Sequence, residues 1–172
     1  MPAFLSHQGV FISYRHQDAG PYARLLKEHW STRLRGVSVF MDHDSIELGV
    51  DFEKVIKSAL KSSVVLVALI GSRWLTITNE DGRRRLDDPG DITKFEIQTA
   101  LKHCKRVIPV LVDGAKELKQ QQLPEDLWEL ARLKPLKMSY ERFEDDVAPL
   151  TSAIKTVLEI GTSEGGTTDS AE

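Results

Sequence analysis

The sequence predicts a doubly wound α/β domain: a parallel sheet of about five strands with helices on both faces. Three observations point to it. Short β-branched and aromatic runs alternate with helical periodicities along the chain. The runs Val64–Ile70 and Val107–Val112 are almost continuously apolar, as strands covered on both faces must be. The links between elements are short, which favours parallel strands joined by helical crossovers.

The first run, Val10–Tyr14, follows Gly9. A helix comes next, with Pro21 near its start, where a missing N–H costs little, and a stripe of Tyr22, Leu25, Leu26 and His29. Gly36 leads into the second run, Val37–Met41. Asp51 is placed to cap a helix whose apolar stripe is Phe52, Val55, Ile56, Ala59 and Leu60. The third run, Val64–Ile70, stops at Gly71. A helix carrying Ile97, Ala100, Leu101 and Cys104 leads to the fourth, Val107–Val112, closed by Asp113-Gly114. Pro109 inside that run lacks a donor and argues for a bulge or an edge position. A short helix through Leu127, Trp128 and Ala131 follows Pro124; then come a weak fifth run, Leu136–Met138, and a last helix carrying Val147, Leu150, Ile154 and Leu158. Residues 1–8 read as an N-terminal extension, 9–160 as one domain, and 161–172, rich in Gly, Ser, Thr and acid, as a flexible tail or linker.

The chain has 172 residues, room for one domain, and at this size roughly 70% of the unfolded surface can be buried without metals or disulfides. Its 23 basic and 26 acidic residues leave a net charge of −3, which argues against a general nucleic-acid binder, since that would need a basic face. The single cysteine, Cys104, can form neither an internal disulfide nor a thiolate zinc site, so a reducing interior fits. No basic start followed by an apolar run opens the chain, and the longest apolar stretch is Val64–Ile70, so neither a targeting signal nor a spanning helix is expected, and a cytoplasmic location is.

Doubly wound sheets bind ligands beyond the carboxyl ends of their strands, which directs attention to 15–20, 42–51, 71–93 and 113–123. The usual nucleotide motifs are missing there. Ser13–Asp18 holds no G-x-G-x-x-G, no P-loop is present, and no G-x-S-x-G elbow occurs. The third run ends Leu69-Ile70-Gly71 without the aspartate of a phosphoacceptor domain. Asp42–Glu47 is acidic, but Ile46 and Glu47 stand where a calcium loop needs a ligand and a glycine. No histidines pair at metal-binding spacing, and no metal is expected.

The residues do resemble one family. Gly9-Val10-Phe11-Ile12-Ser13-Tyr14-Arg15 is similar to the opening strand of Toll/interleukin-receptor (TIR) domains. Val39–Asp42 followed by Asp44–Gly49 resembles that family's second strand and its long BB loop. Ser62–Ile70 resembles the third strand, and Phe95–Ile97 with Ala100-Leu101 and Val107–Val110 the passage into the fourth. Each piece is weak alone; the four in order, spanning about Gly9 to Leu158, are specific. Gly82–Pro89 is similar to microbial members. The resemblance implies a flavodoxin-like sandwich with strand order 2-1-3-4-5.

It also implies one of two activities: cleavage of NAD⁺ at the nicotinamide–ribose bond, giving nicotinamide and linear or cyclic ADP-ribose, or signalling through TIR–TIR contacts. NAD⁺ would be substrate, with no cofactor; other TIR domains would be partners, in a homo-oligomer; nucleic acid and membrane would not. A microbial member would serve defence or signalling. Glu96 matches the family's essential glutamate. A carboxylate suits the chemistry, because loss of a neutral pyridine leaves positive charge on the ribose. The plain alternative is that Thr93-Lys94-Phe95-Glu96 is a capping box.

Tyr14 and Arg15 could meet adenine or phosphate, or else pack and pair; Asp42 and Ser45 could bind substrate or merely form a turn; Trp74 could stack on a base or pack a loop. Ile46, Leu48 and Gly49 are the expected interaction residues, with Gly49 meeting a backbone need before the helix. The chain departs from the NAD⁺-cleaving pattern at Ile92 and Met138, where aromatics are common, and at His16, where a second arginine is. Arg83-Arg84-Arg85 could meet phosphates or acidic surfaces, or stay in solvent.

Overall fold

A computed structural model describes residues 8–41, 46–103 and 105–163. Its elements run β1 (Gly9–Ser13), α1 (His16–Arg33), β2 (Ser38–Phe40), α2 (Phe52–Lys61), β3 (Ser63–Ile70), α3 (Ile92–Lys102), β4 (Arg106–Val112), β5 (Leu136–Met138) and α4 (Phe143–Ser163). Short 3₁₀ segments cover Arg85–Asp87, Gln120–Gln122 and Glu125–Arg132. The five strands are parallel, in the order β2-β1-β3-β4-β5, the expected flavodoxin-like topology.

The strand period of two sorts the core into two layers. Val10, Ile12, Val65, Val67, Leu69, Val110 and Val112 face Leu26 and Trp30 of α1 and Val147, Leu150 and Ile154 of α4. Phe11, Leu66, Ala68, Ile70 and Leu111 face Ile56 and Leu60 of α2 and Ile97 and Ala100 of α3. Met138, one of the departures noted above, is buried in the first layer.

Several details differ from the sequence expectation. α1 starts before Pro21, at His16, and non-helical backbone at Ala19 (φ −138°, ψ 15°) separates its first turn from the rest. Pro21 thus opens the second, longer stretch, where it replaces no essential hydrogen bond. That stretch buries Tyr22, Ala23, Leu26 and Trp30, with Leu25 and His29 only partly covered as whole residues. Pro109 sits in a regular strand with no bulge: it pairs with Ala68, and the β4–β5 ladder begins only at Val110. On that side there is nothing for its missing N–H to interrupt. α4 continues to Ser163, past Gly161 where the tail was expected to begin.

Candidate active site

The strand order reverses between β1 and β3, whose connections leave toward opposite faces; this is where a crevice opens in such sheets. A cavity of about 380 Å³ lies there. It is lined by Tyr14–Gln17 after β1, by Asn79, Arg85, Asp88, Gly90 and Asp91 of the β3–α3 connection, and by Ile92 and Thr93 at the start of α3.

Glu96 lies just behind this lining. It is one turn along α3 from Ile92, on the same helix face. It is fully buried, and Ser13 Oγ at the end of β1 donates to its Oε2 at 2.6 Å. Thr93-x-x-Glu96 is not a capping box. The cap is Asp91, whose side chain accepts from Lys94 N at 3.1 Å, so Glu96 belongs to the second turn and not to the helix entry. The carboxylate is therefore held against the end of β1 by burial and the Ser13 hydroxyl, not by helix-end chemistry.

Arg15 is buried as well. Its terminal nitrogens donate to the two Asp91 oxygens at 2.8 and 2.7 Å, a bidentate pair with side chains only 2% and 5% exposed. Its guanidinium carbon lies 5.7 Å from the centre of the Trp74 ring. Trp74 is 1% exposed and packs in the α2–α3 layer beneath this pair. Arg15 Nε and Trp74 Nε1 find no hydrogen-bond acceptor among the described residues. Tyr14 is buried too, its ring edge-on to His16 at 5.0 Å.

The wall after β3 is tied down by Asp18. Its carboxylate accepts from Gly71 N at 2.8 Å and Arg73 N at 2.9 Å, and Arg73 also donates to the Gln17 carbonyl. Further along, Asn79 Oδ1 accepts from Asp81 N and Arg83 N, and its amide donates to Asp88. The Gly90 N–H, then the Asn79 amide, hold the Asp88 carboxyl below its ordinary range. Arg84 turns away from the crevice to Asp87 (2.8 and 2.9 Å) and the Gln122 carbonyl (2.7 Å), and this hydrogen bonding lowers the pKa of Asp87.

A family profile decides what this fold is. The profile of the TIR domain matches residues 10–151. The chain belongs to the TIR domain family. Over 163 residues, 95% of its length, this TIR domain is 29% identical to "NAD(+) hydrolase SARM1" of Danio rerio, of which it spans 22%. It is 31% identical over 124 residues to "NAD(+) hydrolase sarm1" of Drosophila melanogaster, covering 71% of the chain and 8% of that protein. The TIR domain thus spans under a quarter of the length of either relative. It is also similar to the TIR domains in the activated Roq1 resistosome directly recognizing the pathogen effector XopQ, with a TM-score of 0.45 and 17% identity over 88% of this chain and 80% of that one.

Of the residues singled out from sequence, Tyr14, Arg15, His16 and Ile92 line the crevice, whereas Trp74, against Arg15, and Glu96, against Ser13, are buried and do not. Asp42 and Ser45 lie outside the described residues. Ile46 packs inward against the α2–α3 layer, whereas Leu48 is fully exposed beside Gly49, whose φ is +81°. Sequence reasoning missed Ser13, Asp18 and Asp91, and of the Arg83-Arg84-Arg85 run it singled out, Arg85 lines the crevice. Of those missed, only Asp91 left a local signal, as an aspartate just ahead of an apolar helical stripe; the others act through contacts across the sheet.

Proposed function

We propose that this TIR domain is an NAD⁺ nucleosidase with Glu96 as its catalytic carboxylate. In this reading the bond between ribose C1′ and the pyridinium nitrogen breaks, and its electron pair leaves with neutral nicotinamide. The ribosyl cation is captured by water, which loses a proton, to give ADP-ribose, or by an adenine nitrogen, to give a cyclic product. Glu96 stabilises the oxocarbenium-like charge and orients the ribose hydroxyls. The observation that carries the reading is the buried Glu96 carboxylate, held by Ser13 at the end of β1 and one helical turn from Ile92 of the crevice lining. The SARM1 relatives, both named NAD(+) hydrolases, support the choice of substrate.

Glu96 is fully covered in this structure, and Arg15 has both terminal nitrogens on Asp91. Substrate access therefore requires the crevice lining to rearrange, and we assign that step to self-association through the exposed segment around Leu48. Arg15 then acts as a positioning residue, fixing β1 against the start of α3, rather than as a phosphate ligand. The same burial favours a second reading, a TIR–TIR interaction module without turnover.

Nicotinamide release from NAD⁺, followed across a wide range of protein concentration, separates the two readings. A nucleosidase releases nicotinamide with a specific activity that rises as the domain associates, and Glu96→Ala abolishes it. Association with no release at any concentration supports the module instead.

A further inference from the structure

The run Arg83-Arg84-Arg85 divides by what the fold does with each guanidinium. Arg84 is tied into the wall, donating to Asp87 at 2.8 and 2.9 Å and to the Gln122 carbonyl at 2.7 Å. Arg83 is exposed and stands outside the crevice lining. Arg85 lines the crevice, half-buried, and its guanidinium makes no hydrogen bond or ion pair among the described residues. Its backbone is nonetheless fixed. Arg85 N donates to the Ile77 carbonyl at 2.9 Å, the Arg85 carbonyl accepts from Asp88 N at 3.0 Å, and Arg84 bridges to Thr78. The next residue, Leu86, is fully buried in the α2–α3 layer. A forked cation thus stands on a rigid support beside the crevice, unspent.

The charges around Arg85 say what it suits. Arg15, Arg85, Asp88 and Asp91 line the crevice. Both acids already have donors from the wall. Asp91 accepts from Arg15 and from Lys94 N. Asp88 accepts from Gly90 N at 2.9 Å and from the Asn79 amide at 3.0 Å. Arg15 is committed to Asp91, so among the described residues Arg85 is the lining arginine whose charge is open to an anion. Its planar fork of donors matches the edge of a phosphate. Of the parts of NAD⁺, only the pyrophosphate is negatively charged. Glu96 is covered, so a ribose reaches it from the crevice side, and the 5′ phosphates trail into the crevice that Arg85 lines.

We infer that Arg85 holds the pyrophosphate of the dinucleotide, as a substrate-binding residue separate from the Arg15–Asp91 pair that builds the crevice. The inference rests on the nucleosidase reading and names a substrate contact for it. The same fork could take the 2′-phosphate of NADP⁺ instead. Every dinucleotide has the pyrophosphate and only NADP⁺ has the second group, so the two sources separate by substrate.

Calorimetry of NAD⁺ and NADP⁺ binding to the concentrated full chain tests it, in a Glu96→Gln background that suppresses turnover. Adding Arg85→Ala should weaken the binding of both dinucleotides about 10- to 100-fold while thermal stability stays that of the parent. Arg85→Lys should recover only part of the loss, because an ammonium lacks the fork. Arg84→Ala makes the same change in net charge and should stay within about threefold of the parent, since a charge that does not touch the ligand is largely screened. With Glu96 present, Arg85→Ala should raise KM for NAD⁺ and change kcat little. A loss confined to NADP⁺ assigns Arg85 to the 2′-phosphate and overturns the pyrophosphate contact. Binding unchanged by Arg85→Ala, or weakened equally by Arg84→Ala, also overturns it and leaves the nucleosidase reading standing. The expected binding losses without nicotinamide release by any protein that retains Glu96 would support the Arg85 contact and defeat the nucleosidase reading. No NAD⁺ binding at millimolar concentration overturns both.

Discussion

Replacing Asp91 tests how the crevice is built. Its carboxylate does two things at once: it receives both terminal nitrogens of Arg15 at 2.7–2.8 Å, and it caps α3 through Lys94 N. With the side chains 2% and 5% exposed, solvent screening is slight. Removing one partner of such a buried pair costs about 3–5 kcal/mol, because the other charge stays buried. Loss of the cap adds about 1 kcal/mol. Asp91→Ala should therefore destabilise the domain by roughly 4–6 kcal/mol, a fall in Tm on the order of 10–20 °C at this chain length. Asp91→Ser keeps a capping oxygen and should recover only the smaller part. Arg15→Met/Asp91→Ser, which removes both charges, should lie within about 2 kcal/mol of wild type. Thermal and urea unfolding of the three proteins is the assay. If Asp91→Ala loses less than about 1 kcal/mol, or the double variant is no better than Asp91→Ala, the buried pair is not what holds β1 to α3.

Gly71→Ala would set a methyl 2.4–2.6 Å from the Asp18 carboxylate, so Asp18 must release the β3–α3 connection; we expect a loss of about 1–3 kcal/mol in urea unfolding, and a near-neutral result would show the wall is not fixed there. Ser13→Ala removes the donor to Glu96 Oε2 and should cost about 1–3 kcal/mol in the same assay, with slower nicotinamide release. His29, packed edge-on to Phe143, has its pKa lowered from 6.5, chiefly by burial and then by Arg33, with Glu144 opposing. The unfolded chain then takes up a proton before the folded one does. Stability should be full above pH 6.5 and fall as pH drops toward the lower folded value, and His29→Gln should flatten that part of the curve measured by thermal unfolding.

The sheet was legible because burial on both faces writes itself into β3 and β4 as unbroken apolar runs, and because Asp51 precedes a clean amphipathic stripe. Pro109 misled, since strand chemistry penalises it only where a partner ladder exists, and that depends on how far β5 reaches. α4 passes Gly161 because one glycine in a last turn lowers helix propensity by only about 1 kcal/mol. The resemblance singled out Glu96, but its local pattern suggested the wrong cap: both Thr93-x-x-Glu96 and Asp91-x-x-Lys94 fit a helix start, and register alone separates them. The pairs that build the crevice, Ser13–Glu96 and Arg15–Asp91, join residues 83 and 76 positions apart. No local periodicity encodes such contacts; they exist only once β1 lies beside β3 and α3 returns across them.

Glu96→Gln keeps the volume of the side chain and an oxygen for Ser13 while removing the negative charge. Side-by-side chromatography of NAD⁺ incubated with concentrated wild type and with this variant, at matched thermal stability, is the most direct measurement. A charge that stabilises an electron-poor ribose predicts that nicotinamide release falls on the order of 10²–10⁴-fold. Release by the variant within tenfold of wild type would contradict it.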